Sequence, residues 1–343
     1  MIKEGFLENV EAIFCLHLVL SSDAGVVAFR PDEFLAGCGC FKAVIHGNEG
    51  HADISQDYVN IMKFRTLISD VPEIPYTPGV EAVGVVTAIG PGVNDLKVGD
   101  MVYHSGSVMG TYTEEQIVLA DKAMPLPPID PLVVASVMVK GLTAYFLVKS
   151  WFKVEEGHTV LIHAAAGGVG SLLCQWANKL GATVIGTVST KEKALQAKED
   201  GCHHVIMYKE EDFVTRVNEI TSGQGVEVVF DSVGKDTFEG SLACLKHRGY
   251  MISYGQSSGT PDPVPLSALA TKSLFLARPS LRTSGISRDE RREATKEVLT
   301  NVASGVFRVR VNHTYPLSQA AQAHADMAGR KTSGSIVLIP DGV

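Results

Sequence analysis

The sequence predicts an α/β protein: a doubly wound parallel sheet joined to a second, β-rich domain. Three observations predict it. Short apolar runs alternate with helical segments of about 10–15 residues from residue 157 to about 280. A glycine-rich turn joins the first of those runs to the first of those helices. Upstream, residues 79–103 are valine-rich and punctuated by glycine, the texture of closely spaced short strands in a small barrel-like domain.

Each element follows from its pattern. Thr159-Val160-Leu161-Ile162 is the first parallel strand, and Val169, Leu172, Leu173, Trp176 and Leu180 recur behind it at helical spacing. Residues 183–188 form a buried-type strand and 191–200 a helix. A strand at 204–208, an amphipathic segment at 211–222 and a strand at 226–230 come next. A helix over 236–246, a strand over 250–254 and a last strand over 273–277 close the series. In the upstream domain the runs are Gly79 to Val86, Gly90-Pro91-Gly92-Val93, and Lys97 to Val102. Asp130 and Pro131 make a helix start, cap then first position, for an apolar helix to about Lys149 that links the domains. Residues 4–20 read as a helix with Phe6, Val10, Ile13, Phe14 and Leu18 on one face.

Composition narrows the class. At 343 residues and 45% hydrophobic, the chain can bury two cores. A formal charge of −8 and a pI near 5.8 suit a cytoplasmic protein and argue against nucleic acid or an anionic membrane as partner. Unbroken apolar stretches such as residues 12–16 and 137–139 are too short to span a bilayer, and Glu4, Glu8 and Glu11 stand where a targeting signal would be basic. Six scattered cysteines read as reduced thiols. Cys38-Gly39-Cys40 with His46 and His51 lacks the roughly two-to-four-residue ligand gap of zinc sites, so no metal is expected.

The chemistry begins at His163-Ala164-Ala165-Ala166-Gly167-Gly168-Val169-Gly170. A strand that turns through glycines into a helix presents free backbone N–H groups at the positive end of the helix, which suits a pyrophosphate. Ala165, Gly167 and Gly170 take the three small-residue places of a dinucleotide fingerprint, so Ala166 to Gly170 form the expected phosphate cradle. The second strand runs into Ser189-Thr190-Lys191-Glu192-Lys193 with no carboxylate at its tip. An acid there would accept bonds from a ribose 2′-OH, whereas Ser189 and Lys193 favour a 2′-phosphate, so the cofactor expected is NADPH.

Several further runs carry a resemblance: Pro78 to Gly84, Lys97-Val98-Gly99-Asp100, Lys140-Gly141-Leu142-Thr143-Ala144, Ala164 to Gly170, Asp231-Ser232-Val233-Gly234 and Arg278-Pro279-Ser280. From about residue 72 to the C-terminus the chain resembles the zinc-independent, zeta-crystallin-like quinone oxidoreductases of the medium-chain dehydrogenase/reductase superfamily. The resemblance implies a GroES-like domain at 1–137 with an atypical stretch at 1–55, an NADPH-binding Rossmann domain at 138–280, and a return segment at 281–343 that completes the first domain. It implies a homodimer extended through the last Rossmann strand. It also implies cofactor contacts from Lys140, Thr143, Tyr208, Ser232, Tyr254, Gly255, Gln256, Ser257, Phe275, Leu276, Ala277 and Arg330. Tyr58 and Asn60 stand in for the family's substrate-cleft polar run and are the catalytic candidates. Zinc alcohol dehydrogenases carry Gly-His-Glu where this chain has Gly79-Val80-Glu81, and valine cannot ligate a metal. The activity implied is NADPH-dependent reduction of a quinone or related electron-poor carbonyl. Two alternatives are reduction of a 2-alkenal or enone double bond, and a non-catalytic NADPH-binding role of the crystallin or RNA-binding kind.

Overall fold

This computed structural model describes residues 26–30, 77–105, 110–281, 285–329, 331–332 and 334–341. The expected helix at 4–20 and the candidates Tyr58, Asn60 and Arg330 lie outside them. The chain divides into two compact units: one holds the described residues up to Ser136 and from Val311 onward, the other Val137–Arg310.

In the first unit, β1 (Val26–Arg30), β2 (Glu81–Ile89), β3 (Met101–Ser105), β4 (Gln116–Leu119) and β5 (Met124–Pro125) form an antiparallel sheet in the order β4-β1-β2-β3-β5. Val86, Leu96, Val102, Val118 and Ala123 are its buried cluster. Asp130 caps α1 (Pro131–Phe146), its carboxylate accepting from the Leu132 amide at 2.8 Å. A π-helical turn, Leu147–Trp151, prolongs that helix. Pro131–Trp151 is thus long and apolar enough to cross a membrane, which the broken apolar runs of the sequence do not suggest. Of its most apolar stretch, 61% is buried within the protein, as in a core helix.

The second unit carries a six-stranded, wholly parallel sheet. Its elements are β6 (Thr159–Ile162), α2 (Gly168–Lys179), β7 (Thr183–Val188), α3 (Lys191–Glu199), β8 (His204–Met207), α4 (Phe213–Ile220), β9 (Val226–Asp231), α5 (Phe238–Cys244), β10 (Leu245–Ser253), α6 (Ser267–Ala270) and β11 (Phe275–Ala277). The strand order β11-β10-β9-β6-β7-β8 reverses direction between β6 and β9, and that reversal is the topological switch point of a dinucleotide-binding sheet. Leu161, Ile185, Val229 and Met251 are fully buried, and each contributes roughly 1.5–3 kcal/mol by leaving water.

Two boundaries differ from the sequence reading. The expected helix at 236–246 stops at Cys244, because Leu245 already pairs with Val226 and opens β10. Residue 281 and residues 285–310 cluster with the second unit and not with the return segment. Here α7 (Arg288–Ala303) packs its Val298 on Gly141, and Phe307 meets Trp176 edge-on at 5.2 Å. The first unit resumes with β12 (Val311–Pro316), α8 (Ala320–Ala328) and β13 (Ser335–Ile339); the two strands pair in parallel beneath Leu317, Ala320 and Ala323.

Candidate dinucleotide site

The glycine turn expected to cradle a phosphate is built from the end of β6 outward. The His163 amide donates to Phe230 O at 3.1 Å, and the Ala165 amide donates to Thr187 O at 3.0 Å, so the turn is tied to β9 and β7 at once. Between them Ala164 takes a left-handed conformation, φ 51°, and its carbonyl accepts from the Gly167 amide at 2.8 Å. Gly167 is the N-cap of α2 and has no capping side chain. The first helical bond runs from the Ser171 amide to Gly167 O at 2.8 Å. The amides of Gly168, Val169 and Gly170 therefore fall in the turn where a helix supplies no acceptor of its own. A Cβ at Gly170 would collide with Ala164 O, so only glycine closes this bend. A Cβ at Gly168 would lie 2.9 Å from Cδ and Cε of Lys140, which places the Lys140 stem across the helix start. Thr143, one turn on, donates its hydroxyl to Val139 O at 2.7 Å. Ala166 is buried, and its carbonyl accepts from Gln196 Nε2 at 3.1 Å, a bracing contact that no sequence pattern signals.

The neighbouring strands end beside this cradle. Past β7, Ser189 is half-buried, and Thr190 caps α3 by accepting the Lys193 amide at 3.3 Å. Tyr208 follows β8, its amide on Val188 O at 3.2 Å, and the residue is 48% exposed. Ser189, Lys193 and Tyr208 are thus gathered at the C-terminal ends of two adjacent strands. Glu192, the first acid after the strand, is turned to the helix start, where its own amide and the Thr190 hydroxyl hold its carboxyl below the ordinary range.

At the switch point a buried polar network holds the remaining loops. His163 Nδ1 lies 2.9 Å from Thr187 Oγ1 and Nε2 lies 3.0 Å from Ser241 Oγ. A neutral ring protonated at Nε2 satisfies both contacts, with Ser241 donating to Thr237 O at 2.7 Å. Burial pulls the His163 pKa down to about 4, against a smaller opposing pull from Asp231. Asp231 accepts from the amides of Val233 (2.7 Å) and Gly234 (3.1 Å) and from Thr237 Oγ1 (2.8 Å). Its carbonyl takes the Tyr254 and Gly255 amides at 2.8 and 3.2 Å. The Ser257 amide reaches Ser232 O at 3.1 Å, so Ser232 and the 254–257 loop form one cluster. The Tyr254 hydroxyl is buried, which raises its pKa.

On the edge strand, Ala277 shares the sheet row of Ile252, Phe230 and Ile162, the row that leads into the cradle. Phe275 sits two residues back, half-exposed, and stacks on Tyr250 with centroids 4.5 Å apart. Among the described residues no group of three or more His, Cys, Asp or Glu is placed to hold a metal.

Comparison with known proteins places this architecture. Residues 168–304 match the family described as zinc-binding dehydrogenase, and residues 51–128 match the alcohol dehydrogenase GroES-like domain. A 2-haloacrylate reductase of Burkholderia sp is 46% identical over 275 residues, 79% of this chain and 83% of its own length. Quinone oxidoreductase 1 of Escherichia coli is 45% identical over 78% of this chain and 84% of its own. The crystal structure of Escherichia coli quinone oxidoreductase complexed with NADPH superposes with a TM-score of 0.80 at 40% identity, covering 92% of this chain and 91% of that one. The parallel sheet with its glycine cradle and the antiparallel first unit define a medium-chain dehydrogenase/reductase. Within that superfamily the chain belongs to the quinone oxidoreductase family.

Proposed function

We propose that the protein reduces quinones, or closely related electron-poor carbonyls, by hydride transfer from NADPH and without zinc. One observation carries the cofactor choice: β7 runs out into Ser189 and Thr190 with no acid at its tip, while Lys193 and Tyr208 stand beside it. The cradle fits a diphosphate, since its amides are backbone donors and its glycines leave no room for side chains. The amides of Gly168, Val169 and Gly170 hold the diphosphate, and Ser189, Lys193 and Tyr208 hold the 2′-phosphate. Ser232 and Tyr254 to Ser257 border the cofactor, with Arg330, Lys140 and Thr143 as further contacts. When bound, NADPH supplies the hydride. Tyr58 and Asn60 position the acceptor oxygen, and Tyr58 or water delivers the proton. A reduced quinone carries its charge on oxygens that water protonates, so no Lewis acid is needed, and Val80 offers none. His163 takes no part in that proton transfer, because both ring nitrogens are engaged inside the buried network.

The pairing of β11 leaves an open edge with Phe275 and Leu276 exposed, and this supports a homodimer joined along that strand. The acidic balance supports a cytoplasmic location with no nucleic-acid partner. Initial rates of NADPH and NADH oxidation with 1,4-naphthoquinone and 1,4-benzoquinone test the reading. Turnover with NADPH well above NADH is expected, and NADH turnover at or above the NADPH rate overturns it. The similarity to a 2-haloacrylate reductase favours a second reading, hydride addition to an activated carbon–carbon double bond. Faster turnover of a 2-haloacrylate or 2-alkenal than of any quinone would establish that one. Tight NADPH binding with no turnover of either acceptor would point to a non-catalytic role.

A further inference from the structure

Two cysteines meet beneath the cradle. Cys174 lies on the inner face of α2, fully buried, and Cys202 follows α3 at the entry to β8, 7% exposed. The Cys202 thiol donates to Cys174 Sγ at 3.3 Å, and Cys174 Sγ is 3.8 Å from the carbonyl of Ala165 in the cradle turn. A Cβ on Gly186 of β7 would approach Cys202 Sγ to 2.6 Å and the Ala165 Cβ to 2.7 Å. The thiol pair, the cradle turn and β7 are therefore packed as one block. Filling that space needs only two small side chains; packing does not require two sulfurs in contact.

We propose that Cys174 and Cys202 form a reversible oxidation site: a small uncharged oxidant of the peroxide class converts them to a disulfide that weakens dinucleotide binding. The burial of the pair selects for small neutral reagents, and Cys202, the less buried, reacts first. Its sulfur attacks one peroxide oxygen, the O–O bond breaks, and the departing hydroxide takes the thiol proton as water. Cys202 is then a sulfenic acid. The Cys174 sulfur attacks the Cys202 sulfur, the S–O bond breaks, and the second hydroxide leaves as water with the Cys174 proton. Two thiols and one peroxide become one disulfide and two waters, with two electrons passing from sulfur to oxygen. Closing the sulfurs from 3.3 Å to a bond of about 2.05 Å draws α2 toward the segment before β8. The helix that moves is the one whose first turn carries the Gly168 to Gly170 amides, so the coupling rests on the dinucleotide reading above.

Native full-length protein is treated with hydrogen peroxide, digested with trypsin and mapped by mass spectrometry. Residues 154–179 contain only Cys174, and residues 199–209 contain only Cys202, so a bridge between these peptides identifies the pair. The expected result is that cross-link, two mass units lighter than the sum of the reduced peptides, absent in Cys202→Ser and lost on treatment with dithiothreitol. Free thiols after treatment, or separate sulfinic acids with no cross-link, would overturn the proposal, and the native protein alone decides this if the variant does not fold. Calorimetric titration with NADPH then compares reduced and oxidised protein, with at least a threefold rise in Kd expected on oxidation. An unchanged Kd overturns the coupling, whereas absence of binding by the reduced protein overturns the dinucleotide reading instead.

Discussion

Gly170 and Lys193 illustrate two kinds of requirement at a single residue. At Gly170 the constraint is steric: a methyl group would be driven into Ala164 O, which the Gly167 amide already holds. Gly170→Ala is expected to destabilise the fold by roughly 1–3 kcal/mol, the cost of overpacking. NADPH binding should fall further than that loss accounts for, because the same shift turns the cradle amides; urea titration together with calorimetry reads both. Native-like affinity in a folded Gly170→Ala variant would show that the turn does not carry the diphosphate. At Lys193 the constraint is charge. Lys193→Ala should lower NADPH affinity about tenfold, near 1.4 kcal/mol, and leave NADH affinity unchanged. Equal losses for both nucleotides would place the lysine elsewhere than on the 2′-phosphate.

At the scale of elements, a cap is a local device, and the start read at Asp130 and Pro131 holds, whereas the helices at 213 and 238 begin two residues later than their patterns suggest and α7 carries no pattern that the sequence reading used. Asp130, Thr190 and Asp212 each accept an amide in the first turn of their helices, and Ser287 with Glu290 closes a capping box on α7. That box is exposed and its hydrogen bonds close within Ser287 and Glu290, so Ser287→Ala is expected to cost about 1 kcal/mol of stability while NADPH affinity holds. A change in affinity alongside that loss would mean that α7 sets the geometry of the cradle. The parallel strands were equally legible, since runs such as Val226 to Phe230 are apolar on both faces and only a sheet between helical layers buries them. The end of α5 was not. Leu245 is as good a helix residue as any, and only its pairing with Val226 across the sheet ends the helix there. In the site, the glycines marked the tight turn from strand to helix, but Gln196 on Ala166 O and the His163–Ser241–Asp231 network were hidden. Gln196 lies 30 positions from Ala166 and Ser241 lies 78 from His163, and no periodicity encodes such contacts.

Over the whole molecule, two buried histidines, His104 and His163, and the half-buried His324 make stability depend on pH in a definite direction. Burial lowers the pKa of His104 and His324, and it brings His163 from an ordinary 6.5 to about 4. In the unfolded chain each ring takes a proton near 6.5, whereas folded His163 refuses one until about pH 4. Between those values the unfolded state binds more protons, so stability rises with pH. The contribution is fully present above about 6.5 and is lost as pH falls through about 4. For His163 the loss is about 1.4 kcal/mol per pH unit across the window, roughly 3 kcal/mol in all. His104 belongs to the first unit's sheet and His324 to its helix α8, while His163 braces the switch point, so both units weaken together on acidification. Urea unfolding of the native protein at intervals from pH 8 to pH 4 should show a plateau down to about 6.5 and a steady decline below it. His163→Gln keeps a hydrogen-bonding side chain between Thr187 and Ser241 but removes the titration. The variant should start less stable at pH 8 and decline with a slope smaller by about one proton; a slope equal to that of the native protein would show that acid sensitivity arises elsewhere.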